Sequence, residues 1–523
     1  MVAPRERRSG ALIPQFFAGR SVLITGATGF VGKVLVERLL STCPDISNLH
    51  LLLRVKKGVT PAERLKTLKE SQVFDVVRQR NPAQLEKLRV LEGDVAAPGL
   101  GLAADAALHL QDVSVVFHSA ATLKFDEELR KAVDQNVRSV IRLLELCDKL
   151  PNMQAFIHVS TAYSNAELSS VAERVYPPPA PVDAVLALTD HVPDPTLAGI
   201  THQYIAPKPN TYTFTKALAE NVILRHGNTG YAISIFRPTI VISAMKHPYP
   251  GWIENLNGPS GVIVATGKGL LHVFPIKCGV HTDFLPVDIA VDTLIAVAWE
   301  TAIDQSKDVR VYNCSTGDNP TTFEDFETML RREVTRHPMD GALWYPSGRA
   351  VQSKWARTAL EFLLQTVPLH LAEYTARMIG VKTPVNLITA NKRLSAMTDA
   401  LEFFATREFH FESERVRALH DRLSPEDRDI YNLDVMTINW DEHYADFVKG
   451  TRKYLLQEKD QDLEKARRHM NKMWLLHNVF KFVTLLIFLR LLMQNRYVRA
   501  FVFGTLRLLL SLFNTVYNRL VHA

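Results

Sequence analysis

Val22-Leu23-Ile24-Thr25-Gly26-Ala27-Thr28-Gly29-Phe30-Val31-Gly32 is apolar and of strand length as far as Gly26, and beyond it Phe30, Val31, Val34, Leu35 and Leu39 recur at helical spacing. A strand therefore turns sharply into a helix. Glycines at 26, 29 and 32 allow a tight turn, a close approach of the backbone to a pyrophosphate and close packing of helix on strand. The helix N-terminus offers unpaired N–H groups to phosphate oxygens. Thr25, Gly26, Thr28, Gly29, Phe30, Val31 and Gly32 are thus the candidate cradle of a dinucleotide. A glycine-rich turn without a ligand has the same spacing, so the rest of the chain must decide.

Leu49 to Leu53 has the composition of a buried strand and ends at Arg54, with Lys56 and Lys57 beyond it. At the tip of the second strand of a dinucleotide fold an acid suits the 2′-hydroxyl of NAD and a base the 2′-phosphate of NADP, so Arg54 predicts NADPH. Residues 60–80 read as helical covering surface. A short third strand at Arg89-Val90-Leu91 runs into Glu92-Gly93-Asp94-Val95, where Asp94, with Val95 beside it, is placed to accept from an adenine amino group. Val113 to Phe117 gives a fourth strand, followed by His118-Ser119-Ala120-Ala121. The small Ser119, Ala120 and Ala121 let the middle of a cofactor lie close to the backbone. Ala155 to Val159 delivers Ser160 and Thr161 to the same carboxyl edge, and Ala232 to Phe236 delivers Arg237-Pro238-Thr239, adding Pro238 and Thr239 to the cofactor set.

The segment Asn210-Thr211-Tyr212-Thr213-Phe214-Thr215-Lys216-Ala217 carries the chemistry. Tyr212 and Lys216 are four apart and share one face of a helix. An ammonium beside a phenol favours the phenolate and lowers a reference pKa of about 10, making the tyrosine a better proton donor or acceptor near neutrality. Tyr212 is the candidate acid, Lys216 its neighbour and a cofactor contact, and Thr161, with Ser160, the candidate pair that orients a carbonyl.

These motifs, in this order, resemble the extended short-chain dehydrogenase/reductase pattern. More narrowly, Asn210 to Lys216, Gly251-Trp252 with Asn255-x-Asn257-Gly258-Pro259-x-Gly261, Gly267-Lys268-Gly269, Asp283-x-x-Pro286-Val287-Asp288 and the later Asn439-Trp440, Tyr444 and Gly450-x-Arg452-x-Tyr454 resemble the alcohol-forming fatty acyl-CoA reductases. The resemblance implies hydride delivery from NADPH to the thioester carbonyl of a fatty acyl-CoA, collapse to an aldehyde, and a second reduction to a primary alcohol. It also implies an α/β architecture. A Rossmann-type doubly wound parallel sheet with the catalytic and substrate elements is expected over 16–320, and a mainly helical C-terminal domain over 321–456. A sterol- or sugar-type dehydrogenase of the same superfamily, and a noncatalytic membrane scaffold retaining the fold, are the rival readings.

A chain of 523 residues, 47% hydrophobic, fits two or three structural units. Its net charge of +6 comes without zinc-ligand spacing, basic repeats or RNA-binding aromatics, so neither a metal nor nucleic acid is expected. Cys43, Cys147, Cys278 and Cys314 form no paired motif and suit a reduced, cytosol-facing protein. Residues 166–209, rich in Pro, Ala and Val, read as an irregular lid. Lys268 is a candidate for the phosphates of coenzyme A. Phe403, Phe404, Phe409 and Phe411 read as core of the second domain rather than as acyl-chain lining. An apolar tail over 473–519 is broken by Lys481, Arg490, Arg499 and Arg507, leaving no charge-free run of about 18 residues. Contact with membrane lipid is expected, as a shallow or re-entrant hairpin, at the endoplasmic reticulum or peroxisome.

Overall fold

The computed structural model describes residues 10–513 apart from 104, 228–229, 278, 381–385, 495–498, 500–503 and 506. Seven strands, β1 (Ser21–Thr25), β2 (Leu49–Leu53), β3 (Leu88–Glu92), β4 (Val113–His118), β5 (Ala155–Val159), β6 (Ala232–Pro238) and β7 (Arg310–Cys314), form one parallel sheet in the order 7-6-5-4-1-2-3. β7 is an addition to the six strands the sequence predicts. The order reverses between β1 and β4, and a doubly wound sheet opens its ligand crevice outside the carboxyl ends of the strands at that point.

Strands covered by helices on both faces read as continuous apolar runs, and every residue of β1, β2, β4, β5 and β6 is buried. Alternate residues still serve opposite faces: Val22 and Ile24 join one core and Leu23 the other. Helix α1 (Phe30–Thr42) covers the first face. Helix α2 (Thr211–His226) covers the second and begins at Asn210, whose side chain accepts from Thr213 N. Helix α3 (Val287–Asp304), buried for most of its length, lies beside α1 on the first face.

Beyond the sheet, Lys354–Glu361 runs through a π-turn at Phe362–Thr366 into Val367–Met378, together α4, and α5 (Leu387–Ala405) packs against it. The chain then returns to the sheet. Asp427 caps the short helix Leu12–Phe17 by accepting from Leu12 N and Ile13 N at 2.8 and 3.1 Å. Arg38 of α1 joins Asp292 of α3 at 2.7 Å and donates to Ile430 O at 2.7 Å. The two parts also cross backbone to backbone, since a Cβ on Gly450 would stand 1.8 Å from Gly251 O. This accounts for glycine at both positions.

Residues 166–209 differ from the expected irregular lid. They contain two helices, Val182–His191 and Asp194–Tyr204, whose Val182, Val185 and Leu197 fill the second core. Both pack against the helix Leu129–Val133 on the outside of the sheet, and no residue between 166 and 209 lines the main cavity. Residues 60–80 are helical as expected, in the pieces Pro61–Glu70, Gln72–Phe74 and Asp75–Arg80. Helix α6 (Leu463–Gln494) runs through residues 473–492 and is long and apolar enough to cross a membrane, with its apolar stretch almost wholly exposed. Of the expected second half of a hairpin, at 497–517, the described residues 499, 504–505 and 507–513 are helical, with Leu508, Leu509, Leu510, Leu512 and Phe513 exposed, and the rest lies outside the described residues.

Candidate active site

A single cavity of about 1180 Å³ runs from the N-terminus of α1 across the carboxyl edge of the sheet to α5. This exceeds the roughly 300–1000 Å³ usual for one drug-sized ligand. One end is polar. Gly26, Thr28, Gly29, Phe30, Val31 and Gly32 line it, with Arg54, Asp94, Val95, Ser119, Ala120, Ala121, Pro238 and Thr239. Gly26 takes φ +76°, and a Cβ there would stand 2.7 Å from Ala120 N. No side chain caps α1, whose N-cap is Gly29, so its first-turn N–H groups remain available to an anion in the cavity. The residues present therefore fit a dinucleotide: the uncapped helix for the pyrophosphate and the small β4 edge for the part beyond it.

Thr25 is the one predicted cofactor residue that does not line the cavity. Its side chain is buried behind the loop, 2.7 Å from His118 Nδ1, and accepts from Ala120 N at 3.2 Å. It positions the Ser119–Ala120 turn. His118 is pushed down to about 3 by burial and is neutral.

Arg54 and Asp94, expected to hold different parts of the cofactor, pair with each other at 3.0 Å. Arg64 joins them. It donates to Arg54 O and to Thr28 Oγ1, both at 2.7 Å, and lines the same end of the cavity. The sequence carried a signal for it: Thr60-Pro61-Ala62-Glu63 is a capping box, which starts the helix at Pro61 and puts Arg64 in its first turn, facing the β2 tip.

At the middle of the cavity the Tyr212 phenol lies beside the Thr161 hydroxyl, and Phe125 stacks on the tyrosine ring at 6.0 Å. Lys216 Nζ donates to Val159 O at 2.7 Å. The expected lowering of the phenol by Lys216 is reversed. Burial raises the Tyr212 phenol above its ordinary range, with Thr161 only partly offsetting it, and lowers the Lys216 ammonium to about 8. Ser160 also reaches the cavity, but its hydroxyl donates to Glu220 Oε1 at 2.6 Å. Glu220 in turn holds the fully buried Arg237 at 2.8 and 2.6 Å. One turn of α2 past Lys216, this pair ties α2 to the end of β6.

The other end is apolar, walled by Val262, Phe274, Phe284, Phe326 and, from α5, Leu394, Met397, Leu401 and Phe404. Phe404 was expected to be core only; it packs on Tyr163 at 5.3 Å and on Phe125 at 5.6 Å and also faces the cavity. Lys268 is absent from the lining. Its ammonium is used on Glu458 at 3.2 Å and on Asp340 O. Arg393 of α5, which the sequence reading did not single out, lines the cavity instead. Two acids of the resembling motifs turn out to be braces: Asp288 accepts from the backbone N–H groups of Met245, Lys246 and His247 at 2.7–3.0 Å, and Asp283 accepts from Thr239, Ser315 and Thr316. Among the described residues no group of side chains could hold a metal ion.

Two family models described as male sterility protein match, an NAD-binding model over residues 24–294 and a second over 364–458. Fatty acyl-CoA reductase 1 of Mus musculus is 35% identical over 91% of this chain and 92% of its own length. Fatty acyl-CoA reductase 2 of Bos taurus is 34% identical over 93% and 95%. Among solved structures, the terminal R domain of the myxalamid PKS-NRPS pathway superposes with a TM-score of 0.54 at 16% identity, covering 85% of this chain and 91% of that domain. The reductase domain of a nonribosomal peptide synthetase from Mycobacterium tuberculosis also superposes at 0.54, over 82% and 91%. These structures share the fold of the sheet and its helical partner. With a dinucleotide-binding sheet and relatives matched almost end to end, the chain is an oxidoreductase that belongs to the fatty acyl-CoA reductase family.

Proposed function

We propose that the chain uses NADPH to reduce a long-chain fatty acyl-CoA, through an aldehyde, to a primary alcohol. One observation supports this most: Tyr212 and Thr161 stand where the polar, dinucleotide-fitting end of one continuous cavity meets its apolar end. When bound, the cofactor supplies hydride to the carbonyl carbon. Every other task falls to the chain. Thr161 donates to the carbonyl oxygen and fixes its direction, and the Tyr212 phenol, kept protonated by burial, gives its proton to the oxygen as negative charge develops there. Lys216, charged below about pH 8, holds the cofactor ribose and stabilises the phenolate left behind. Loss of coenzyme A from the hemithioacetal gives the aldehyde, and a second hydride and proton give the alcohol. Arg54 and Arg64 select the 2′-phosphate, and Arg393 meets the phosphates of coenzyme A.

The protein is held at a membrane by its tail with the catalytic unit facing the cytosol, at the endoplasmic reticulum or peroxisome. Cys43, Cys147 and Cys314 are free and buried, in keeping with a reducing compartment. Incubating purified full-length protein with NADPH or NADH and a graded series of acyl-CoAs, with identification of the lipid product, tests the reading. Alcohol formed at two cofactors oxidised per thioester supports it. Aldehyde as the sole product, or no cofactor oxidation with any acyl-CoA, overturns it.

A further inference from the structure

Helix α4 is amphipathic in the opposite sense to a helix on a water-soluble domain. Its buried positions are polar: Arg357 is 6% exposed, Gln365 1% and Glu373 4%. All three bind the α5 side. Arg357 donates to Glu402 at 2.5 Å and pairs with Asp399, Gln365 Nε2 donates to Asn391 Oδ1 at 3.1 Å, and Glu373 accepts from Leu387 N at 3.0 Å. Its outer face is apolar. Nine large hydrophobic side chains between 355 and 379 are exposed, with Trp355 89% and Met378 88% accessible. Single apolar residues on a surface need no explanation, but a contiguous stripe of this length does. A helix that turns satisfied polar groups inward and apolar groups outward is built for an apolar exterior.

We infer that α4 lies in the membrane interface as a second lipid contact, distinct from the tail, with Trp355, Phe362, Leu363, Leu371, Met378 and Ile379 in the acyl boundary. Continuity with the tail favours lipid over a protein partner. His272 N donates to Gln365 Oε1 of α4 at 3.4 Å, and Ser347 Oγ lies 3.5 Å from the same histidine's Nδ1. The neighbouring Trp344 Nε1 donates to His477 of α6 at 2.9 Å, and Tyr345 packs on His477 at 5.6 Å. Both helices therefore leave the body at one place, and a membrane that receives α6 also meets α4. Charge agrees. Both acids of the helix are engaged, Glu361 by Ser395 of α5 and Glu373 by Leu387 N and by Arg377 at 2.9 Å, so their charges are met from within, while Lys354 is exposed and the paired Arg377 is still 55% exposed. Such cations suit anionic headgroups beside a buried apolar face. Because α5 is also the wall of the apolar end of the cavity, α4 sets that wall against the lipid surface.

The test does not depend on catalysis. Full-length protein is reconstituted in phosphatidylcholine/phosphatidylserine vesicles with and without shallow brominated chains, and the emission of wild type minus Trp355→Phe isolates the Trp355 contribution. Insertion predicts quenching of that component on the order of twofold and a blue-shifted maximum. A Leu363→Glu/Leu371→Glu chain, still floated by its tail, should lose the quenching and shift to the red. Vesicle-bound protein whose Trp355 component is unquenched overturns the inference. So does an emission shift that follows protein-to-lipid ratio and crosslinking between chains, because the stripe would then cover a second copy. Failure of acyl-CoA turnover would leave this inference standing, and failure of quenching would leave the catalytic reading standing.

Discussion

Lys216→Met should remove turnover and, at the same time, stabilise the ligand-free fold. Lys216 is buried in α2, and burial brings its ammonium from 10.5 to about 8. At about 1.4 kcal/mol per tenfold change in proton affinity, keeping the charge inside at neutral pH costs about 3 kcal/mol. Methionine keeps the apolar stem and drops the charge. It also drops the hydrogen bond to Val159 O, and a carbonyl left unpaired costs about 1–3 kcal/mol. The variant should therefore be about 0–2 kcal/mol more stable at pH 7. The pH dependence gives the sign an independent check. The unfolded lysine holds its proton up to 10.5 and the folded one only to about 8, so between these values the unfolded state binds more protons and wild-type stability rises with pH. Methionine cannot titrate, so the rise should disappear. Urea midpoints of both proteins in detergent at pH 7 and pH 10 read the difference, and kcat/KM of the wild type should fall above about pH 8 as the ammonium is lost. A variant that is less stable at pH 7 and still gains stability like the wild type would refute the reasoning.

Tyr212→Phe should lower kcat by about 10²–10⁴ with cofactor affinity nearly unchanged, read by steady-state turnover beside fluorescence titration, since the proton leaves with the hydroxyl and the ring stays. Arg54→Asp should move the ratio of kcat/KM for NADPH over NADH toward NADH, and Arg64→Leu should do so further, because Arg64 donates to both Arg54 O and Thr28; an unchanged ratio would place the 2′-phosphate elsewhere. Glu220→Gln should cost about 3–5 kcal/mol in urea unfolding by stranding the buried Arg237, whereas Glu220→Leu with Arg237→Met should recover most of it. Truncation after Asn478 keeps the Trp344–His477 bond and removes the exposed run of α6. In flotation such a chain should lose detergent-resistant anchoring and retain weak, salt-sensitive vesicle binding through α4.

The half of the site built on sequence-local rules was legible before any coordinates. A strand-to-helix turn needs its glycine at 26, a Tyr-x-x-x-Lys pair shares a helix face whatever surrounds it, and a strand end delivers its last hydroxyl to the carboxyl edge, so Gly26, Tyr212, Lys216 and Thr161 were found from spacing. What was missed depends on partners far away in the chain. The direction of the Tyr212 shift was misread because burial outweighs the pull of a neighbouring ammonium, and burial is not written in a four-residue spacing. Ser160 was a free hydroxyl in the sequence and is bound to Glu220, 60 residues on. Lys268 was a free cation and is engaged by Glu458, 190 residues on. Phe404 was assigned to a core because an apolar residue facing a cavity and one facing another side chain have the same periodicity.

Helix α4 shows the same limit most sharply. An amphipathic pattern states that two faces differ; it does not state which face is inside. Reading apolar as inward assumes water on the other side, and under that assumption Trp355, Leu371 and Met378 belong to the core and Arg357, Gln365 and Glu373 to the surface. The partners on α5 decide otherwise: Glu402 and Asn391 are side chains able to bind an inward arginine and an inward amide, and a helix end at Leu387 offers an N–H to an inward carboxylate. A polar seam this fully satisfied makes it costly to rotate the helix so that its apolar face turns in, because each of the three groups would be left without its partner. The exposed stripe is therefore held outward by the hydrogen bonds beneath it, and the surrounding medium must supply what the protein interior does not.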